Sequence, residues 1–215
     1  MKVPRNHFAL EAQDYLQRLQ ESFNDEIFEA VEDLADSLLQ AWIEGRYVFI
    51  CGNGGSAANA IHMANDFNYG IGACGQMPNI PGLRVEALPA NTSIITCVAN
   101  DTGYDNIFAH QLEVKARPKD LLIVLSGSGN SSNVVRAIET ASVIGLRSYA
   151  IVAFRGGLCK ELANKTIHFP INDMQIAEDT QLIIGHICMQ WLNKNKPTRI
   201  ASLGLDRGPL KYNEN

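Results

Sequence analysis

Two short polar loops and one pair of helical segments carry the residue types that could do chemistry. The first loop is Gly52-Asn53-Gly54-Gly55-Ser56, directly after the apolar run Tyr47-Val48-Phe49-Ile50-Cys51. The second is Ser126-Gly127-Ser128-Gly129-Asn130-Ser131-Ser132, directly after Leu121-Leu122-Ile123-Val124-Leu125. Glycine-rich loops let backbone N–H groups approach an anion. A helix that follows adds unsatisfied donors and the positive end of its dipole. The second loop also offers several hydroxyls. Together the two loops predict a small phosphorylated ligand.

Acid–base candidates lie elsewhere. His62 and Asp66 are spaced i, i+4, which puts them on one helical face. The last helical stretch carries Glu178, Asp179 and His186. His62, Asp66, Glu178 and His186 could form a general acid/base group or a divalent metal site, since zinc accepts imidazole nitrogen and carboxylate oxygen. One geometric constraint applies. Positions 178 and 186 are about 12 Å apart along an ideal helix. A single ion takes both only if Glu178 precedes the regular helix, or if different subunits contribute. Alone, His62 fits a half-buried structural histidine, and Glu178 fits a helix N-terminal carboxylate. Only the constellation makes them functional. Asn100 and Asp101, in Cys97-Val98-Ala99-Asn100-Asp101-Thr102-Gly103, either orient substrate hydroxyls or form an ordinary turn or cap. His110 and His168 show no partner pattern and read as structural or exposed.

These residues must be positioned by elements, and the periodicity supplies them. Residues 1–45 carry apolar positions at helical spacing: Phe8, Tyr15, Leu16, Leu19 and Phe23, then Ile27, Val31, Leu34, Leu38 and Trp42. They predict one or two helices packing on the core or on a neighbouring subunit. From Tyr47 strands and helices alternate. Strands are predicted at 47–51, 83–88, 120–125, 147–153 and 166–169. Helices are predicted at 56–69, 91–100, 104–112, 131–144, 158–163 and 176–192. This alternation implies an α/β fold with a parallel five-stranded sheet flanked by helices. In such sheets ligands sit beyond the carboxyl ends of the strands, where both loops fall. The domain reading is an N-terminal helical segment over 1–45, a core domain over 46–193 and a tail over 194–215. The Gly/Pro-rich stretch 70–83 reads as a loop able to cover the ligand.

Composition narrows the classes. The chain has 215 residues, 46% hydrophobic and 19% charged, with a formal net charge of −5. The acidic balance argues against nucleic acid as the ligand. No apolar run reaches the roughly 20 residues that span a bilayer. The polar, charged start lacks a secretion signal's apolar core. Five cysteines without CxxC spacing read as free thiols in a reducing cytoplasm. Gly52-x-Gly54-x-x-Ala57 fits a dinucleotide fingerprint in form, but the acidic residue expected about 20 positions on is missing. Neither loop ends in the Gly-Lys-Ser/Thr of a P-loop.

The motifs in combination resemble a known family. Gly52-Asn53-Gly54-Gly55-Ser56-Ala57-Ala58-Asn59-Ala60-Ile61-His62, Cys97-Val98-Ala99-Asn100-Asp101, Ser126-Gly127-Ser128-Gly129-Asn130-Ser131 and the final helix with Gln181 and His186 follow one another in order. They resemble the signatures of sugar isomerase (SIS) domains of the phosphoheptose isomerase type. The resemblance implies a single SIS domain, a homotetramer with sites between subunits, and one zinc ion per subunit. It implies conversion of sedoheptulose 7-phosphate to D-glycero-D-manno-heptose 7-phosphate, on the way to a surface-polysaccharide heptose. Substrate contacts are implied at Asn53, Gly54, Ser56, Asn100, Asp101, Ser126, Ser128, Ser131 and Glu178. Catalysis falls to Asp66 and His186, and metal ligation to His62, Asp66, Glu178 and His186. The chain departs from the family's usual pattern twice, with Asp66 where glutamate is usual and Glu178 where glutamine is usual. Noncatalytic relatives sense a sugar phosphate or bind a protein, one of them assisting a bacterial replication initiator. An isomerase for another sugar phosphate is a further alternative.

Overall fold

The apolar runs form strands β1 (Tyr47–Gly52), β2 (Arg84–Ala87), β3 (Leu121–Ser126), β4 (Arg147–Val152) and β5 (Lys165–His168). All pair in parallel, in the order β2-β1-β3-β4-β5. The computed structural model describes residues 5–71 and 80–197. Among them lie eight α-helices: α1 (Arg5–Glu21), α2 (Asp25–Glu44), α3 (Gly55–Asn65), α4 (Thr92–Thr102), α5 (Ala109–Lys115), α6 (Ser132–Ile144), α7 (Gly157–Leu162) and α8 (Met174–Lys194).

Alternation along each strand builds two cores. Val48, Ile50, Leu121, Ile123, Leu125, Tyr149 and Ile151 face one layer, where they meet Leu34, Leu38 and Trp42 of α2, Met63 of α3 and Ile184 and Cys188 of α8. Phe49, Cys51, Leu122, Val124, Ala150 and Val152 face the other, against Leu112 of α5 and Val134 and Ile138 of α6. Both faces of the sheet are covered, as a parallel sheet requires. Helix α2 therefore belongs to the core. Helix α1 sits outside it, with Phe8, Leu10 and Leu16 exposed.

The five strands fall within one or two residues of their expected positions. Two helical expectations are corrected. The stretch 56–69 is not one helix: α3 ends at Asn65 and a π turn runs Asp66–Gly70, with Ile71 N–H donating to Asp66 O at 3.1 Å. The stretch 104–112 divides into a 3-10 turn, Tyr104–Asn106, and α5. Helix α8 begins before its expected start because Asp173 caps it, accepting from the N–H groups of Gln175 and Ile176. Most of the expected covering loop (72–79) and of the tail (198–215) lie outside the described residues.

The chain leaves β1 towards β2 on one side and reaches β3 on the other. A crevice opens where these directions diverge, beyond the carboxyl ends of β1 and β3. Gly52 is level with Leu125 there, so the two polar loops emerge side by side.

Candidate active site

The first loop is tied to the second by a pair of amides. Asn53 donates to Asn133 Oδ1 at 2.8 Å, and Asn133 donates back to Asn53 Oδ1 at 2.8 Å. Tyr104 adds its hydroxyl to the same Asn53 oxygen at 3.0 Å. Asn133 is buried at the start of α6, and the sequence reading missed it. A polar residue following Ser131-Ser132 at a helix start was its only signal. Asp105 accepts from Ser132, so the turn after α4 also closes over this end.

The serine loop is shaped by its own hydroxyls. Ser126 Oγ accepts from Gly129 N–H at 3.0 Å, and Ser128 Oγ accepts from Asn130 N–H at 3.3 Å. Gly129 takes φ +69°, and a methyl there would strike Gly156 O; only glycine satisfies both demands. Ser128 is exposed and Ser131 half-buried. Ser131 precedes α6 without spending its hydroxyl on a capping bond. Ser56 is buried against Gly52.

Helices α3 and α8 run side by side in the same direction. A methyl at Gly55 would strike the Glu178 carboxylate. One turn on, Asn59 donates to Glu178 O at 2.8 Å and to Gln181 Oε1 at 3.3 Å. A methyl at Gly185 would lie 2.7 Å from Met63 Cγ. His62 Nε2 then meets His186 Nε2 at 3.0 Å. Asp66, at the first position of the π turn, brings its Oδ2 to 3.4 Å from His62 Nε2 and 3.6 Å from His186 Nε2.

Three ligand-type atoms thus stand 3.0, 3.4 and 3.6 Å apart. A tetrahedral zinc with bonds of about 2.0–2.2 Å spaces its ligand atoms about 3.3–3.6 Å apart. Two of the three spacings match such an ion, and the imidazole pair at 3.0 Å would open by about 0.3 Å to take it. Asp66 is largely covered, at 18% side-chain exposure, while the imidazoles are about half open at 48% and 46%. That leaves a face for water or substrate. Among the described residues this is the group able to hold a metal, and Glu178 is not part of it.

The sequence matches the SIS domain over residues 8–153. A phosphoheptose isomerase of Mycobacterium bovis is 39% identical over 164 residues, covering 76% of this chain and 81% of that protein. One of Akkermansia muciniphila is 36% identical over 166 residues, with 76% and 84% covered. The chain belongs to the SIS domain family, among its phosphoheptose isomerases. The solved phosphoheptose isomerase of Neisseria gonorrhoeae superposes with TM-score 0.79 at 25% identity, covering 88% of this chain and 98% of that one. That of Francisella tularensis gives TM-score 0.78 at 23% identity, with 91% and 100% covered, and shows the shared fold.

In this SIS chain the expected residues separate into four places. Asn53, Gly54, Ser56, Ser126, Ser128 and Ser131 surround the crevice loops. His62, Asp66 and His186 form the trio. Glu178 stands between them on α8. Asn100 and Asp101 occupy the last turn of α4, exposed, with Asn100 donating to Asp101 Oδ1 at 2.7 Å and Cys97 Sγ 3.6 Å from Asp101 Oδ2. The helix-end alternative therefore describes their place in one protomer. His168 bonds Phe154 O at 3.0 Å and Lys160 at 3.1 Å, a structural role. His110 is exposed beside Glu113. Cys51, Cys159 and Cys188 are buried free thiols. Burial pushes Cys159 and Cys188 up to about 12, and Cys51 further. Cys97 is an exposed free thiol, and its hydrogen bond to Asp101 raises its pKa.

Proposed function

We propose that the protein is an aldose–ketose isomerase converting sedoheptulose 7-phosphate to D-glycero-D-manno-heptose 7-phosphate. The spacing of the His62–Asp66–His186 trio carries the reading, since it joins an acid and two imidazoles in a chain 39% identical to a phosphoheptose isomerase. The phosphate docks on the serine loop, where Ser128 and Ser131 offer hydroxyls at the start of α6. Asn53, Gly54 and Ser56 shape the crevice beside it. A carboxylate removes the proton from the carbon next to the carbonyl, giving an enediolate. His186 carries a proton between its two oxygens. Asp66 can act as that base only while free of the ion, because a ligating carboxylate oxygen is committed.

His62, Asp66 and His186 would hold zinc, and bound zinc supplies Lewis-acid polarisation of substrate oxygen. Glu178, expected as a fourth ligand, stands two turns away in the same protomer. The same reading makes the protein a cytoplasmic homotetramer, with residues 1–45 packing on the core and on neighbours and sites shared between subunits. Exposed Phe8, Leu10 and Leu16 on α1 support it. Asn100 and Asp101 would then serve substrate hydroxyls across such an interface.

Purified protein incubated with sedoheptulose 7-phosphate, with and without added zinc, tests the reading by appearance of the aldose. Asp66→Asn is expected to abolish turnover and retain sugar-phosphate binding. Unchanged turnover in that variant removes Asp66 from the chemistry, and an inert wild type removes the isomerase reading.

A further inference from the structure

Asn53 and Asn133 form an amide ring closed at both ends. Asn53 Nδ2 donates to Asn133 Oδ1 at 2.8 Å, and Asn133 Nδ2 donates to Asn53 Oδ1 at 2.8 Å. Such a ring closes equally well with both amides turned over, because an amide has nearly the same shape either way. Tyr104 breaks that symmetry. Its hydroxyl donates to Asn53 Oδ1 at 3.0 Å, which favours the oxygen at that corner.

The hydrogen-bonding capacity of Asn53 is then almost used up. A side-chain amide has two acceptor lone pairs and two N–H donors. Asn133 and Tyr104 take the two lone pairs, and Asn133 takes one N–H. One Nδ2 N–H is left, and no described residue accepts it. The anchor of the ring lies inside the protein: Asn133, second residue of α6, is 1% exposed. Asn53, directly after β1, is half-buried.

The sign of that last group matters at the start of α6. A phosphate monoester carries about −1.5 to −2 charges at pH 7 and presents acceptor oxygens. An asparagine free to turn over offers such a group a repelling carbonyl oxygen as readily as an N–H. The braced Asn53 offers the N–H alone.

We propose that Asn133 and Tyr104 are positioning residues that hold Asn53 as a dedicated donor to the phosphorylated end of the substrate. The inference rests on phosphate docking at the serine loop, part of the reading above, and not on its proton-transfer steps. Asn53 serves that end because its partner Asn133 stands two residues after Ser131. The brace is part of the fold, so the amide is ordered before the ligand arrives, and binding is spared that ordering cost.

The test titrates full-length protein with inorganic phosphate by calorimetry and measures kcat and KM with sedoheptulose 7-phosphate. Asn133→Leu frees the amide and is expected to raise the phosphate Kd and the KM roughly 3- to 10-fold. Its kcat should stay within about threefold of wild type, the split that follows loss of uniform binding. Tyr104→Phe removes one hydroxyl from an exposed side chain. It is expected to raise both constants about twofold or more, because two amide orientations become populated. In an Asn53→Ala background neither substitution should weaken phosphate further, since both act through that amide. A further loss in that background overturns the inference. So does an unchanged phosphate Kd in both variants, or a fall in kcat with KM unmoved. Should Asn133→Leu fold poorly, Tyr104→Phe and its cycle with Asn53→Ala decide. A wild type that binds no phosphate overturns the inference together with the docking it rests on. A wild type that binds phosphate without turnover removes the isomerase reading, and the calorimetric cycle still decides this one.

Discussion

Asp66 reaches both imidazoles although it is a short acid, because the chain places its Cα where α3 gives way to the π turn. No pair in the trio is farther apart than 3.6 Å, so the site needs little reorganisation to take an ion. Removing a ligand should therefore be felt directly. His62→Ala or His186→Ala is expected to weaken zinc binding by more than the 10- to 100-fold typical of losing an outer-shell partner. Competition against a chromogenic chelator measures it. The i, i+4 spacing of His62 and Asp66 made half of this site readable, since helix geometry is local. The pairing with His186 is not local. It depends on the packing register of two helices 124 residues apart, which no spacing rule encodes. Asn133 was hidden for a similar reason: its partner Asn53 is 80 residues away.

Helix α8 owes its start to Asp173. The hydrogen bond from Arg18 and then the Ile176 N–H hold that carboxyl below the usual aspartate range. A depressed folded pKa gives stability that is present above the unfolded value of about 3.9 and lost as pH falls through the folded value. Asp173→Ala is expected to cost about 0.5–2 kcal/mol at pH 7, as loss of a helix cap does. The gap from wild type, followed by urea denaturation, should narrow below about pH 4. Strand positions were legible because runs such as Leu121–Leu125 are apolar on both faces and bounded by polar loops. Helix interruptions were not. Phe67 continues the apolar spacing of α3 whether the turn is α or π, so periodicity alone cannot show the break.

At the scale of the whole molecule, α1 is fastened at one end. Tyr15 donates to Asp179 at 2.5 Å, and Arg18 reaches Asp173 at 2.6 Å. Burial, then the bond to Asp179, raises the Tyr15 pKa to about 12, so the phenol stays protonated at neutral pH. Phe8, Leu10 and Leu16 remain 74%, 66% and 62% exposed on α1. Sedimentation of the wild type is expected to give a tetramer. Replacing Phe8 and Leu16 together by Asp should shift it to smaller species, while a retained tetramer would place the contact elsewhere. Composition predicted helices here but not what they touch, because an apolar stripe is the same whether it meets its own chain or another.

The π turn also governs strand β2. Leu83 N–H donates to Phe67 O at 2.8 Å, and a methyl on Gly82 would collide with the Asn68 carbonyl. The strand at the sheet's rim thus enters along a helix irregularity. A π turn holds an extra residue relative to an α turn, so deleting one residue between 67 and 69 would wind the segment back to regular helix. Winding the turn back would re-aim the Phe67 carbonyl along the helix and pull it from Leu83. A change of length in this stretch would therefore mis-seat the rim strand first, while His62 and Asp66, which precede it, keep their place on the helix.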